Sequence, residues 1–405
     1  MELRFPVILD GATGTEMHKR GFDGSISPER WCLEHPEVII GLQREYVEAG
    51  SQILYTPTFG ANRVKLEHNG IFGKVEEYNM GLAAITREAA GGKAFVAGSL
   101  APTGKFLYPL GDMRFEELVE IYTEQAAALE KAGVDLFVIE TMMTLPEARA
   151  AVLAVKSVSA KPVFVSFTCD ENGRSLTGTD VCAALTVMEG MGINAFGLNC
   201  SAGPAEMLPQ IKRLGEISSL PIIAKANAGM PQLVEGKTVY NCSPEEFAAH
   251  IPALVEAGAR IFGGCCGTHS GHISAIAAGL EGMELDAPAP VVYDALPCAT
   301  EKNAYFLDPA VEYSCCLECS EELEDELMDA LEEDGEMIAI AIDSLEQLED
   351  FADCQYMISK PLCIVCDDAD VLEQALRLYQ GRALYEGSLS DEELLPLAEK
   401  YGLII

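Results

Sequence analysis

Two cysteines stand side by side in the segment Gly263-Gly264-Cys265-Cys266-Gly267-Thr268. Consecutive side chains of a regular strand point to opposite faces, so adjacent thiols reach one ion only where the strand breaks. The flanking glycines permit that break. A third thiol, Cys200, ends the segment Gly197-Leu198-Asn199-Cys200. Three converging sulfurs would bind Zn²⁺ at about 2.3 Å and leave the fourth tetrahedral position open, as in catalytic zinc sites.

Spacing alone leaves other interpretations of the thiols open. Buried cysteine also behaves as a small apolar residue. His269 and His272 closely follow the paired cysteines, which admits a Cys2His2 site, but their place at the start of a helix favours a structural role. The motifs Cys316-x-x-Cys319 and Cys363-x-x-Cys366 would supply four thiolates for a second metal. Residues three apart on a strand face opposite sides, so we expect these thiols to be buried or incidental.

The elements that must position these residues recur along the first 289 residues. Eight apolar runs predict strands at residues 7–9, 52–55, 95–98, 136–139, 163–167, 195–198, 222–226 and 260–263. Helical patterns lie between them, for example over 115–132, ended by Gly133. Eight alternating units of this length are typical of a (β/α)8 TIM barrel, with a doubly wound open sheet as the alternative. Count and spacing favour the barrel.

A barrel carries its chemistry at the carboxyl ends of its strands. The predicted strand ends bear polar or reactive residues: Asp10, Thr56, Ser99, Glu140, Thr168, Asn199, Cys200, Asn227, Cys265 and Cys266. Asp10 precedes Gly11-Ala12-Thr13-Gly14-Thr15, whose backbone amides would bind a substrate carboxylate in a nest. The carboxylates also have a structural interpretation as helix caps or solvated loop residues.

Composition excludes several functions. The 27 basic and 64 acidic residues give a net charge of −37, which argues against binding nucleic acid or anionic lipid. No apolar run approaches the length of a membrane span. The first ten residues lack the pattern of a signal peptide, so we expect a cytoplasmic protein whose 14 cysteines are reduced.

Charge distribution divides the chain. Residues 290–405, hereafter the C-terminal segment, hold 29 acidic and 5 basic residues, net −24. The proline-rich stretch 286–290 indicates a linker, so we predict a barrel domain at 1–289 and a smaller α/β domain at 290–405. In the second, helical patterns at 320–333, 344–351, 369–379 and 391–401 alternate with strand-like runs at 337–342, 362–365, 382–385 and 403–405.

Residues 1–285 resemble the homocysteine-binding zinc barrel of methionine synthases and betaine-homocysteine methyltransferases. The similar segments are residues 9–15 (LDGATGT), 56–63 (TPTFGANR), 197–200 (GLNC) and 263–268 (GGCCGT), with 139–141 and 226–229 also matching. The resemblance implies that Cys200, Cys265 and Cys266 hold Zn²⁺ and that the homocysteine sulfur fills the open position. It also implies that Asp10 and Glu140 hold the substrate ammonium group.

The chemistry of a thiol agrees with this assignment. A free thiol with a pKa near 8.5 is a poor methyl acceptor at neutral pH, because only a few per cent is thiolate. Coordination to Zn²⁺ deprotonates a thiol, so the ion would act as a pKa shifter and a template. Beside three thiolates an amide oxygen is a weak zinc ligand, so we expect Asn199 to orient a cysteine or to contact the substrate. Asn62 and Asn227 are expected to shape loops.

The C-terminal segment, from 360 to 402, is similar to the middle of the pterin-binding barrel that follows the zinc barrel in cobalamin-type methionine synthases. The similarity is partial and covers four βα-like units. The segment 313–319, where the opening loop of the folate domain would lie, reads YSCCLEC, and no Asp-x-His-x-x-G cobalamin signature occurs in the chain. Any cobalamin would therefore be carried by a separate corrinoid protein, and a folate site would need a partner.

We therefore predict an enzyme that transfers a methyl group to homocysteine, giving methionine, with the donor, a corrinoid protein or a small methyl compound, supplied in trans. One alternative is methyl transfer to a different thiol. Another is a non-catalytic subunit of a split methionine synthase that binds homocysteine or zinc and docks a partner through its acidic C-terminal segment.

Overall fold

The computed structural model describes residues 4–234, 237–289, 291 and 294–405. Between residues 4 and 289, its described strands are β1 (Val7–Ile8), β2 (Ile53–Tyr55), β3 (Phe95–Leu100), β4 (Leu136–Met142), β5 (Val163–Phe167), β6 (Ala195–Asn199), β7 (Ile222–Ala226), β8 (Gln232–Val234), β9 (Lys237–Val239) and β10 (Ala259–Gly264). Eight of them form a parallel sheet in the order β1-β10-β7-β6-β5-β4-β3-β2, and β8 pairs with β9 as an antiparallel hairpin.

The two ends of the parallel sheet meet through Gln52. Its backbone N–H donates to the carbonyl of Ile8 at 2.7 Å, and its side-chain oxygen accepts from the N–H of Ile8 at 2.9 Å. These two bonds join β1 to the start of β2. The molecule is a (β/α)8 barrel, as the sequence predicted.

Helices cover the outside of the barrel. They are α1 (Gly14–Lys19), α2 (Pro28–Glu34), α3 (Pro36–Glu48), α4 (Arg63–His68), α5 (Val75–Ala90), α6 (Phe115–Lys131), α7 (Leu145–Val158), α8 (Val181–Gly190), α9 (Pro204–Ile217), α10 (Pro244–Ala248), α11 (Ile251–Glu256) and α12 (Ser270–Gly279). In α6, Leu118, Ile121 and Leu129 recur at helical spacing and are buried. Gly133, with φ of 75°, then turns the chain away.

The barrel interior changes from apolar to polar along the strands. Its apolar cluster contains Val7, Leu9, Ile53, Tyr55, Ala97, Leu136, Val138, Phe164, Ala195, Ile223 and Ile261. Because side chains of a strand alternate, the residue two positions further on faces the same side. That next position is Ser99 on β3, Glu140 on β4, Ser166 on β5 and Lys225 on β7. The polar side chains inside the barrel therefore lie towards the carboxyl ends of the strands.

The C-terminal segment forms a second, smaller α/β structure. Its described elements are β11 (Leu296–Ala299), β12 (Ala304–Leu307), β13 (Cys316–Glu318), α13 (Leu323–Glu332), β14 (Ile338–Ala341), α14 (Leu348–Cys354), a 3₁₀ turn (Gln355–Met357), β15 (Leu362–Val365), α15 (Ala369–Leu378), β16 (Leu384–Glu386) and α16 (Asp391–Tyr401). The strands β13, β14, β15 and β16 form a parallel sheet in that order, and β11 pairs with β12 as an antiparallel hairpin.

One predicted strand of this segment does not form, and one strand of its parallel sheet was not predicted. Residues 403–405 do not form a strand, since Ile404 joins Leu384 at one isolated bridge. The sheet instead contains β13, in which Cys316 and Glu318 are exposed, so that its sequence shows no apolar run. The strand predicted at 382–385 lies at Leu384–Glu386. The predicted linker ends at Pro290, which lies outside the described residues, so the division into domains near 290 stays a prediction.

The second structure packs on the barrel helices α6, α7 and α8. The N–H of Asp180, before α8, donates to the carbonyl of Lys302 at 2.9 Å. Arg377 of α15 donates to Glu116 of α6 at 2.7 Å. One cluster of buried apolar residues runs from the barrel helices into α13, α14, α15 and α16. Among the described residues, no helix is both long and apolar enough to cross a membrane.

Candidate metal and substrate site

The three predicted thiols meet at the carboxyl end of the barrel. Cys200 directly follows β6, and Cys265 and Cys266 directly follow β10. Their sulfur atoms all lie within 4.8 Å of one another, and Cys200 Sγ is 3.9 Å from Cys266 Sγ. Two sulfurs bound tetrahedrally at 2.3 Å from a zinc ion would lie about 3.8 Å apart. The donor set and its spacing therefore fit Zn²⁺.

Backbone breaks bring the thiols together. Cys200 and Ser201 have φ angles of 61° and 59°, in the left-handed region that residues with a Cβ rarely adopt. Strand β10 ends at Gly264, and Gly267 has φ of 81°. The end of β7 connects both loops, because the N–H of Cys200 donates to Lys225 O at 3.2 Å and that of Cys265 donates to Ala226 O at 2.7 Å.

Thr268 fixes the loop that carries the paired cysteines. Its hydroxyl donates to the carbonyl of Cys265 at 2.7 Å and accepts from the N–H of Ala12 at 3.1 Å. A Cβ atom at Gly264 would lie 2.7 Å from Thr268 Cβ, closer than such atoms approach. Gly264 is therefore required for Thr268 to pack here.

The surroundings of Cys265 disfavour its thiolate form. The hydrogen bond to Cys200, together with burial, raises the pKa of Cys265 to about 12. A divalent cation would reverse this preference, because it stabilises the thiolate.

Asp10 is 1% exposed and lies beside the thiol loop. Its Oδ2 accepts the N–H of Tyr55 at 2.8 Å, and its backbone carbonyl accepts the N–H of Gly264 at 3.0 Å. Its Oδ1 lies 3.3 Å from Lys225 Nζ in an ion pair but accepts no hydrogen bond from any described residue. Burial raises the pKa of the Asp10 carboxyl, and Lys225 opposes that rise. Oδ1 therefore has hydrogen-bonding capacity that no described residue uses.

Glu140 is 9% exposed, and burial raises its pKa too. Its Oε1 accepts the hydroxyl of Ser99 at 2.7 Å. The next residue, Thr141, has φ of 60°, at an irregularity in β4. Asn199 holds this bend, since its Oδ1 accepts the N–H of Thr141 at 2.8 Å and its Nδ2 donates to Thr141 Oγ1 at 2.7 Å.

Asn199 also reaches the thiols. Its Nδ2 lies 3.9 Å from Cys265 Sγ, and its Oδ1 accepts a further bond from Ser166 at 2.8 Å. One amide therefore contacts the strand end of Glu140 and a cysteine, and the orienting role of Asn199 stays a prediction.

The segment after Asp10 approaches α3 closely. A Cβ atom at Gly11 would lie 2.7 Å from the ring of Tyr46, whose hydroxyl donates to Ala12 O at 2.5 Å. The N–H of Ala12 is already bonded to Thr268, so it is not available for the predicted carboxylate nest. Thr13 precedes α1, and its side chain makes no capping bond. The substrate contacts of Gly11 and Thr13 stay predictions.

The sequence did not point to Lys225, Tyr55 and Thr268. The signal for Lys225 was its place inside an apolar run. A strand with such a run in a parallel sheet is buried on both faces, so a lysine within it needs anionic partners. The hydroxyl of Tyr55 and Oδ1 of Asn227 are buried and have no hydrogen-bond partner among the described residues. Asn62 caps α4 by accepting from Lys65 N–H.

The other metal arrangements do not form. His269 and His272 make a capping box at the start of α12, and His272 Nε2 lies 3.0 Å from Cys242 O. In the described part of the chain, Cys200, Cys265 and Cys266 are the only group of three or more cysteine, histidine or acidic residues close enough to share an ion. The thiol of Cys319 donates to Gln347 O and that of Cys366 to Asp368 O.

The fold and this cluster define the class of the protein: a (β/α)8 barrel with three thiols at the carboxyl ends of its strands and two buried carboxylates beside them. The family model for homocysteine S-methyltransferases matches residues 7–280. The chain belongs to the homocysteine S-methyltransferase family, which confirms the resemblance seen in the sequence.

Two relatives agree with this assignment. The chain is 32% identical over 297 residues to the methionine synthase of Mycobacterium leprae, covering 67% of this chain and 24% of that protein. It is 31% identical over 303 residues to the methionine synthase of Mycobacterium tuberculosis, covering 69% and 25%. The chain thus spans about a quarter of the length of these relatives.

The fold matches the homocysteine methyltransferase MmuM from Escherichia coli. In both its oxidised and metallated forms the TM-score is 0.58 with 23% identity, over 67% of this chain and 95% of that one.

Proposed function

We propose that this chain transfers a methyl group to the thiol of homocysteine, forming methionine, with Zn²⁺ held by Cys200, Cys265 and Cys266. The observation that carries the proposal is the convergence of three sulfurs beside two buried carboxylates in a barrel of this family. When bound, the ion supplies a thiolate at neutral pH by lowering the pKa of the acceptor thiol.

The protein residues bind and orient the amino acid. Asp10 Oδ1 and the Glu140 carboxylate accept the ammonium group, since both are buried and Oδ1 has an open lone pair. Asn199 and Thr268 hold the cysteine loops, so that the thiols keep their relative positions while substrate exchanges. We propose that Gly11 and Thr13 contact the substrate carboxylate.

The proposed methyl donor is not bound by residues 1–405. The family match covers residues 7–280, and the sequence contains no cobalamin signature. We propose a methylated corrinoid protein or a small methyl compound as the donor, and a cytoplasmic location.

The first test removes one thiol. Cys265→Ser should lower the bound zinc from about one ion per chain to background and abolish methionine formation, because one thiolate ligand is lost. Cys316→Ser, which changes an exposed thiol of the C-terminal segment, is the matched control and should keep both. Metal analysis and a methionine assay with each donor class give the readouts. Full activity in a zinc-free Cys265→Ser protein would contradict the proposal.

Binding separates the enzyme from a non-catalytic subunit. Calorimetric titration of the zinc-loaded chain with homocysteine should show one site per chain. Methionine formation with methylcobalamin or a small methyl donor then identifies an enzyme. Homocysteine binding without turnover with any donor would instead indicate the subunit of a split methionine synthase, and stronger binding of another thiol would indicate a different acceptor.

A further inference from the structure

Lys225 occupies an unusual place for a lysine. It lies on β7, 4% exposed, and its side chain points into the barrel two residues after the apolar Ile223. Gly263 on the neighbouring strand makes room for it, because a Cβ there would lie 3.2 Å from Lys225 Cγ and 2.9 Å from Leu9 Cβ. A buried ammonium group is costly unless it is paired and hydrogen-bonded. The contacts of the ammonium group should therefore explain why a lysine is buried at this position.

The ammonium group of Lys225 joins the two halves of the site. It donates to the carbonyl of Gly264 at 2.7 Å, directly before Cys265. It lies 3.3 Å from Asp10 Oδ1 and 4.9 Å above the centre of the Tyr55 ring. The backbone carbonyl of Lys225 also accepts the N–H of Cys200. One residue thus contacts the ammonium-binding carboxylate and both thiol loops.

Charge explains the arrangement. The ammonium group is buried, but the ion pair with Asp10 and the hydrogen bond to the Gly264 carbonyl compensate its lost hydration. Lys225 therefore keeps the positive charge that lysine carries at neutral pH. The lysine charge offsets the anionic groups around it. The ion pair fixes the position of Asp10 Oδ1, yet this oxygen still accepts no hydrogen bond from a described residue.

We propose that Lys225 is a positioning residue that makes the site selective for thiols bearing an amino group, by holding Asp10 as an oriented carboxylate next to the thiol cluster. The proposal rests on the proposed function, since it assigns the Asp10 carboxylate to the substrate ammonium. It predicts that removing the lysine charge weakens recognition of the amino group more than recognition of the thiol.

The test compares two thiols that differ only in the amino group, homocysteine and 4-sulfanylbutanoate. In Lys225→Met, the Kd for homocysteine should rise at least about ten-fold, the loss expected when a bond to a charged group is disrupted. The Kd for 4-sulfanylbutanoate should change less than about three-fold, so the selectivity for the amino thiol falls. Calorimetry on the zinc-loaded full chain gives these values, with metal analysis on the same samples. Lys212→Met, an exposed lysine, is the control and should match the unaltered chain.

A double variant covers the case in which Lys225→Met does not fold. Asp10→Asn together with Lys225→Met removes both charges, so no unpaired buried charge remains. If the lysine acts through Asp10, this double variant and Asp10→Asn alone should bind homocysteine with Kd values within about three-fold. A much weaker double variant would overturn the proposal, as would equal losses for both thiols in Lys225→Met.

The outcomes distinguish this proposal from the proposed function. If the unaltered zinc-loaded chain does not bind homocysteine, the proposed function fails and the role of Lys225 fails with it. If the unaltered chain prefers homocysteine and Lys225→Met keeps the same preference, the proposed function stands and the role of Lys225 is wrong.

Discussion

At the scale of single residues, the site combines groups whose charges depend on one another. Asp10 and Glu140 are buried carboxylates, and Lys225 is the cation that faces both. Burial disfavours the ionised form of each acid, whereas the lysine and the hydrogen bond from Ser99 favour it. Binding of an ammonium group by these acids should therefore weaken as the pH falls.

The affinity for homocysteine should fall on acidification earlier than ordinary carboxyl groups would cause. Because the pKa values of Asp10 and Glu140 are raised, protons bind them at a higher pH than usual, and a protonated acid no longer attracts an ammonium group. The KM for homocysteine should therefore begin to rise on acidification before the pH reaches the range in which ordinary carboxyl groups titrate. Steady-state kinetics against pH measures this. Acid also opposes deprotonation of the zinc-bound thiol, which raises the KM of both thiols, so the KM for homocysteine should rise more steeply than that for 4-sulfanylbutanoate. An equal rise for both thiols would contradict the assignment.

At the scale of elements, the ends of β6 and β10 decide whether the thiols meet. Both ends leave regular strand geometry, β6 through the left-handed residues Cys200 and Ser201 and β10 through Gly264 and Gly267. Left-handed backbone at a residue with a Cβ costs about 1–3 kcal/mol and persists only where its surroundings enforce it. Here the bond from Cys200 N–H to the end of β7 does so.

Gly264→Ala should separate metal binding from folding. The added Cβ would collide with Thr268, which supports Cys265 through a hydrogen bond to its carbonyl. We expect a loss of about 1–3 kcal/mol in the free energy of unfolding and a clear loss of zinc affinity. Gly41→Ala in α3 meets no atom within 4 Å and should be neutral or stabilising. Urea unfolding and competition with a zinc chelator provide the two measurements; unchanged zinc affinity in Gly264→Ala would contradict this role for Thr268.

The sequence predicted the barrel strands and the thiol cluster because both leave local signals. Each inner strand is buried on both faces and therefore appears as an apolar run, and a cysteine pair between glycines marks a strand break. Long-range properties left no such signal. The left-handed Thr141 depends on Asn199, a residue of another strand. In β11, Pro297 interrupts the strand pattern, and the exposed β13 has none.

At the scale of the whole molecule, the barrel and the C-terminal segment form separate sheets with one continuous apolar core. The contact centres on Arg149 of α7, which is 1% exposed. Its guanidinium donates to Gln380 Oε1 and to Leu376 O, each at 2.8 Å, and lies 5.6 Å from the ring centre of Phe115. Burial lowers its pKa to about 10, which still leaves it charged at neutral pH. The two structures should therefore unfold as one unit.

Arg149→Met should make the barrel and the C-terminal segment unfold separately, while the methionine fills most of the buried volume of the arginine. The variant leaves the Leu376 carbonyl and the Gln380 amide without their donor, which should cost about 3 kcal/mol of unfolding free energy. Trp31, the single tryptophan, lies in the barrel, so its fluorescence follows that part, whereas far-UV circular dichroism follows the whole chain. In urea the two signals should coincide for the unaltered chain and separate for the variant, with fluorescence changing at the higher concentration.

Arg44→Met, which removes an exposed arginine from a 3.4 Å ion pair, should change stability by less than about 0.5 kcal/mol. Coincident, unshifted transitions in Arg149→Met would show that the contact between the two structures does not depend on Arg149.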